Sequence, residues 1–249
     1  MRAYNRKDDE LRPLKIYPDY LDFADGSALI EFGKTRVVAA ATLEEKVPVF
    51  LKNTGSGWIT AEYSMLPRST EKRTIRERTQ GYPSGRTQEI QRLIGRTLRA
   101  VTDLKGIGER QIILDCDVIQ ADGGTRVTSI NAACVALALA LKKMLDQKII
   151  DTMPLHHLVA GVSVGIVNGE PLLDLDYAED SSAETDMNVV QTDRGQLLEV
   201  QATAEKNPFS RSLLERLLRL ADKGIEEIIQ AQKDVLKKKS LLFMAYGYK

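Results

Sequence analysis

The hydrophobic pattern changes period several times along the chain, and each change marks an element. Residues 14 to 42 read as strands: Leu29, Ile30, Phe32, Val37 and Val38 are β-formers, and Gly33-Lys34 between the runs reads as a hairpin turn. Trp58–Leu66 is the next strand, and Pro67–Ser84, nearly free of apolar residues, reads as an exposed loop. Ile90, Leu93, Ile94, Leu98, Val101 and Leu104 then recur at helical spacing, which predicts a helix over about Arg86–Leu104, stopped by Gly106 and Gly108. In Gln111–Ile119 the period returns to two. Ile112, Leu114, Cys116 and Val118 share one face, and Asp115 and Asp117 share the other.

Gly123-Gly124-Thr125 opens a second long helix, to about Gln147, apolar on several sides and so expected at the centre of the core. Strands follow near Leu158–Val167 and Leu172–Tyr177, joined by an Asn168-Gly169 turn, and then near Met187–Val190 and Leu197–Ala202. A last helix is expected from about Ser212, where Ser212 and Glu215 have capping-box spacing, with its stripe running from Leu214 to Ile229. This order implies an α+β or α/β sandwich of mixed sheets with packed helices. No short-period repeat and no linker interrupts it, so one domain is expected over residues 1–249.

Composition adds bounds. With 43% hydrophobic residues in 249, the chain can bury a sizeable core. Cys116 and Cys134 form no CxxC pair and lie in apolar runs, as buried thiols of a reduced compartment would. The charged start carries no signal-peptide core, and the longest apolar run, Ala132–Leu141, is too short to span a bilayer. A cytoplasmic protein with no membrane partner is expected.

Overall charge is balanced, 35 basic against 35 acidic residues, but its distribution is not. Between Pro67 and Arg99 there are nine cations, eight of them arginine, against three glutamates, a net of +6. Between Glu170 and Asn188 there are seven carboxylates and no Lys or Arg. A basic segment suits a polyanion and an acidic one a divalent cation; phosphoryl chemistry on nucleic acid uses both. A solvated surface face is the ordinary alternative.

Arg86 follows Ser84-Gly85 at one helix start, and Gly124-Thr125-Arg126 opens the next. Helix starts present free N–H groups and the positive end of the dipole, so two of them that converge, each with an arginine, can hold one inorganic phosphate. An ordinary turn followed by a surface arginine fits the same residues. Asp180 and Asp186, six apart between two strands, can hold Mg²⁺ or another divalent cation, and one of them can protonate a leaving oxygen; turn formation and capping is the competing reading. Asp115 with Asp117, and His156-His157, are weaker candidates.

Four blocks carry a family resemblance: Gly57–Thr70, Gly85–Arg96, Asp115–Arg126 and Asp186–Val190. They resemble the ribonuclease PH family, in order, within a match from Arg6 to about Gln232. The resemblance implies a fold like domain 2 of ribosomal protein S5. It implies phosphate-dependent 3′→5′ removal of nucleotides from precursor transfer RNA and other RNA, with release of nucleoside diphosphates, by a homohexamer built as a trimer of dimers. Carried over by motif, Arg86, Gly124, Thr125 and Arg126 hold the attacking phosphate, Asp180 and Asp186 serve the metal and catalysis, and Arg68, Arg73 and Arg76 contact RNA, partly across a subunit boundary. Tyr4-Asn5-Arg6 departs from the family's usual Asp-Gly-Arg, and Gln201–Glu205 has alanine where glycine is common. A catalytic ring subunit of an archaeal-type exosome, an inactive RNA-binding ring subunit and a nucleoside phosphorylase are the alternatives.

Overall fold

The computed structural model describes residues 2–241. The sequence from Lys237-Lys238-Lys239 onward reads as a surface tail, and its part beyond 241 lies outside the described residues.

The first half forms a five-stranded sheet. Strands β1 (Leu14–Pro18), β2 (Gly26–Phe32) and β3 (Thr35–Glu44) make an antiparallel meander, and β3 pairs with β5 (Gln111–Gln120), which takes β4 (Trp58–Met65) in parallel on its other edge. Two strands in parallel need a crossover, and α1 (Gly85–Ala100) lies within it. Ser84 caps α1 by accepting from the Thr87 N–H at 3.1 Å, one turn before the apolar stripe begins. The helical spacing predicts one helix as far as Leu104; it breaks after Ala100, and a short α2 (Leu104–Ile107) carries the last apolar residues. Asp103 caps α2 by accepting from the Lys105 N–H at 3.0 Å, which starts a new helix rather than continuing α1.

The second half forms a four-stranded antiparallel sheet in the order β7 (Glu170–Leu173), β6 (Val159–Val167), β8 (Thr185–Thr192), β9 (Leu197–Ala204). The segment between β7 and β8 contains a six-residue helix, α4 (Tyr177–Ser182), where the sequence pattern predicts only a loop. A capping box forms it: Asp176 accepts from the Glu179 N–H and Glu179 accepts from the Asp176 N–H, both at 3.0 Å.

Helix α3 (Thr125–Asp146) packs against β2, β3 and β5 of one sheet and β6 of the other. Its burial on all sides is why its sequence shows no amphipathic stripe. By length and composition it would cross a membrane, but 89% of the apolar window is buried within the protein, which marks a core helix. Helix α5 (Arg211–Lys238) covers the second sheet, with Leu217, Ala221, Ile225, Ile228 and Ile229 buried. Its cap is Ser210, not the expected Ser212; the Ser210 hydroxyl accepts from the Leu213 N–H at 3.3 Å. One contiguous buried cluster runs from β2 through α3 to β8 and α5. Cys116 and Cys134 are free and buried in it, and burial pushes both thiols up, Cys134 to about 12.

At the N-terminus, Tyr4 and Asn5 occupy the left-handed region with φ of 62° and 53°. A glycine would adopt that conformation freely, so the turn carries strain in its side-chain-bearing residues.

Candidate active site

Two helix starts and one strand start supply the groups. Arg86 is the second residue of α1 and is exposed. Arg126 is the second residue of α3, preceded by Gly123 and Gly124, both at positive φ (79° and 66°). At Gly123 a Cβ would sit 2.5 Å from the Leu175 carbonyl oxygen, so the turn is pressed against the segment leading into α4 and has no room for a side chain. Gly124 is itself the N-cap, leaving the first N–H groups of α3 uncapped by any side chain.

Thr125 is buried, and its Oγ1 accepts from the Tyr63 hydroxyl at 3.1 Å, which leaves the threonine proton to be donated elsewhere. The Tyr63 phenol, raised by burial, feels both Arg86 and Arg126 as opposing charges. Arg126 pairs through Nη2 with Glu89 Oε2 at 2.7 Å, across from α1 to α3. Its Nε is buried with no hydrogen-bond partner among the described residues.

Asp180 lies on α4 and Asp186 is the second residue of β8, paired with Gly165 on one side and Thr203 on the other. Burial, then the neighbouring Asp180, push the Asp186 carboxyl up to about 6, and Arg126 and Arg86 pull it back. Asp180 is also raised, by burial first, against the pull of Arg86, Arg126 and Arg12. Arg86, Arg126, Asp180 and Asp186 thus lie near enough to feel one another's charge. Asp186 Oδ1 is buried without a partner, while Oδ2 accepts a long bond from Asn188 at 3.4 Å.

Three of the seven carboxylates of the acidic segment, Asp174, Asp176 and Glu179, are taken up by arginines. Asp174 is fully buried and accepts from Arg12 Nε at 2.9 Å and Nη2 at 2.7 Å, and Glu179 pairs with Arg2 and Arg6, each at 2.7 Å. The counter-charges come from the N-terminal segment, far away in sequence. Among the described residues no group of three or more His, Cys, Asp or Glu side chains is placed to hold a metal. Two carboxylates, one with an orphaned buried oxygen, suit Mg²⁺, which keeps waters and takes the rest of its oxygens from substrate phosphate.

Arg68, Arg73 and Arg76 are all exposed on the loop between β4 and α1. The base of this loop is tied to the segment that leads into the glycine turn, since Ala121 N–H donates to the Ser69 carbonyl at 2.9 Å. Asp115 and Asp117 lie on the exposed face of β5, where Asp117 accepts from Ser64, and His157 pairs with Asp193 at 2.9 Å. A hollow of about 500 Å³ lined by Asp22, Asp25, Lys142 and Lys143 includes none of these residues.

Three contributors carry little signal in the sequence. Glu205, just past β9, raises both aspartates. Tyr63 holds Thr125. Arg12 donates to the Asp122 and Gly123 carbonyls of the glycine turn. A charged residue two positions before the first strand is the available signal for Arg12; for Glu205 there is none.

Residues 10–143 match domain 1 of the 3′ exoribonuclease family and residues 157–224 match domain 2. The chain is 56% identical over 94% of its length to the ribonuclease PH of Syntrophomonas wolfei, covering 98% of that protein. It is 59% identical over 95% of its length to that of Moorella thermoacetica, covering 94% of it. A chain of the solved Archaeoglobus fulgidus exosome with RNA bound to the active site shares the fold, with a TM-score of 0.76 at 20% identity, over 96% of this chain and 92% of that one. The chain therefore belongs to the ribonuclease PH family, phosphorolytic 3′→5′ exoribonucleases and tRNA nucleotidyltransferases.

Proposed function

We propose that the chain trims the 3′ end of precursor transfer RNA in the cytoplasm, as a homohexameric ring built from dimers, with Arg86, Gly124, Thr125 and Arg126 holding the attacking phosphate and Asp180 and Asp186 beside the scissile bond. The single observation behind the assignment is a pair of orphaned buried atoms. Arg126 Nε is a donor without an acceptor, and Asp186 Oδ1 is an acceptor without a donor. An unsatisfied buried group costs about 1–3 kcal/mol. An anion facing the arginine, and a cation or proton facing the aspartate, would satisfy them together.

In the reaction a phosphate oxygen attacks the last internucleotide phosphorus, a new P–O bond forms to the terminal nucleotide, and the bond to the 3′-oxygen breaks. The nucleoside diphosphate leaves, and the shortened RNA keeps a 3′-hydroxyl after taking a proton. The Arg86 and Arg126 forks and the α3 N–H groups fix the nucleophile and offset its charge. One of the two aspartates, both of them raised by burial, is suited to carry that proton while the other serves the metal. Mg²⁺ held by Asp180 and Asp186 would supply charge stabilisation at the attacked phosphate. Arg68, Arg73 and Arg76 grip the RNA backbone, and a neighbouring subunit completes their groove. One buried cluster joins both family segments, which favours the chain acting as one unit. Retention of every phosphate and carboxylate residue speaks against an inactive RNA-binding subunit.

The test is phosphate binding without turnover. Inorganic phosphate should raise the melting temperature of the wild-type protein, and should do so far less for Arg126→Ala. Equal shifts in both would remove Arg126 from the phosphate site.

A further inference from the structure

We propose that Arg6 and Arg2 are positioning residues for the reaction: they fix Glu179, and through it the helix that carries Asp180, relative to the glycine turn that Arg12 and Asp174 hold. The inference rests on the active-site reading given above.

The bonds form one continuous path. Arg2 donates to Glu179 through Nε at 2.7 Å and Nη2 at 3.1 Å, and Arg6 Nη2 donates to the same carboxylate at 2.7 Å. Arg6 Nη1 reaches the Asp174 carboxylate at 3.5 Å and the carbonyls of Leu173 and Asp174. Asp174 in turn accepts from the Arg12 backbone N–H at 2.8 Å and from its guanidinium. Arg12 then donates to the carbonyls of Asp122 and Gly123, and Thr35 Oγ1 adds a bond to Gly123 at 2.7 Å. The path thus starts beside Asp180, in the second family segment, and ends at the turn that opens α3, in the first.

The path is an expensive way to gain stability. Arg6, Arg12 and Asp174 are 7%, 1% and 0% exposed. Burial lowers the Arg6 guanidinium, its Nε has no partner among the described residues, and Asp174 sits at a φ of 56°. Buried ion-pair networks are weak sources of stability compared with apolar packing, and their best-attested use is fixing one arrangement. In this site the arrangement sets the distance between the proton carrier or metal ligand and the phosphate. An error of about 1 Å there costs about 100-fold in rate.

The experiment compares Arg6→Lys, Glu179→Gln and the double variant with wild type and with Asp180→Asn. It measures kcat and the KM for phosphate and for a 3′-extended RNA at a temperature well below unfolding, and separately the melting temperature. Glutamine at 179 can keep the capping bond, so Glu179→Gln decides the matter if Arg6→Lys does not fold. The expected result is a fall in kcat of about 10-fold or more in each variant, with both KM values within about threefold and the double variant no worse than the poorer single one. A lower melting temperature with wild-type kcat, or a rise in KM alone, would make the network structural and overturn the inference. Wild-type turnover in Asp180→Asn would instead overturn the active-site reading and take this inference with it.

Discussion

Arg126 in the first turn of α3 and Glu89 in the second turn of α1 form an ion pair of 2.7 Å, and the pair occupies Nη2 of the arginine while leaving its buried Nε without an acceptor. The guanidinium is thereby oriented before any anion arrives. Glu89 counts against the positive charge of its segment in the sequence; in the structure it aims that charge.

Arg126→Ala and Arg86→Ala should each lower kcat/KM for phosphate by about 10- to 100-fold or more, since a charge-assisted hydrogen bond contributes about 1.5–3 kcal/mol. RNA affinity should change little. Steady-state kinetics over a phosphate series, with RNA binding measured separately, checks both. Weakened RNA binding with an unchanged phosphate KM would reassign these arginines.

Asp186 should cost the fold stability. Its carboxyl stands at about 6 against an ordinary 3.8, so the folded chain holds the proton more tightly than the unfolded one. Stability from this group is therefore present at low pH, declines as pH rises from about 4 to about 6, and stays lost above that. Asp186→Asn should then raise stability at pH 7.5 by about 1–3 kcal/mol while removing activity, and the gap from wild type should narrow toward pH 4.5. Thermal melting at the two pH values decides it. A less stable variant at pH 7.5 contradicts the assignment.

The loop arginines should reveal themselves through salt. Replacing Arg68, Arg73 and Arg76 together should weaken RNA binding and flatten the slope of log affinity against log salt. The slope should fall by about 0.7 for each phosphate of the single strand that the variant no longer neutralises. Unchanged slopes would take these arginines off the RNA path.

Arg12→Met should destabilise by about 3–5 kcal/mol, because it leaves the Asp174 carboxylate buried with its main partner gone. Double replacement with Asp174→Leu should recover part of that stability. Chemical denaturation measures both.

Much of the fold is legible in the sequence because its signals are local. The period-two run through Ile112 and Val118 and the helical stripe of Ile90 to Leu98 each report one buried face, and both elements form within a few residues of the expected ends. What escapes depends on capping and on distant pairs. The break after Ala100 turns on Asp103, and α4 exists through the reciprocal Asp176–Glu179 cap. In the site, Arg86, Arg126, Asp180 and Asp186 stand out by motif. The use of Asp174 and Glu179 by Arg12, Arg6 and Arg2 does not, since those partners are more than 160 residues apart.

In a phosphorolytic enzyme phosphate, not water, cuts the RNA. Incubating the protein with a 3′-extended transfer RNA, with and without inorganic phosphate, and weighing the released nucleotides by mass spectrometry tests it directly. Nucleoside 5′-diphosphates that appear in phosphate and vanish without it are the predicted outcome. Nucleoside 5′-monophosphates, formed equally in phosphate-free buffer, would contradict it.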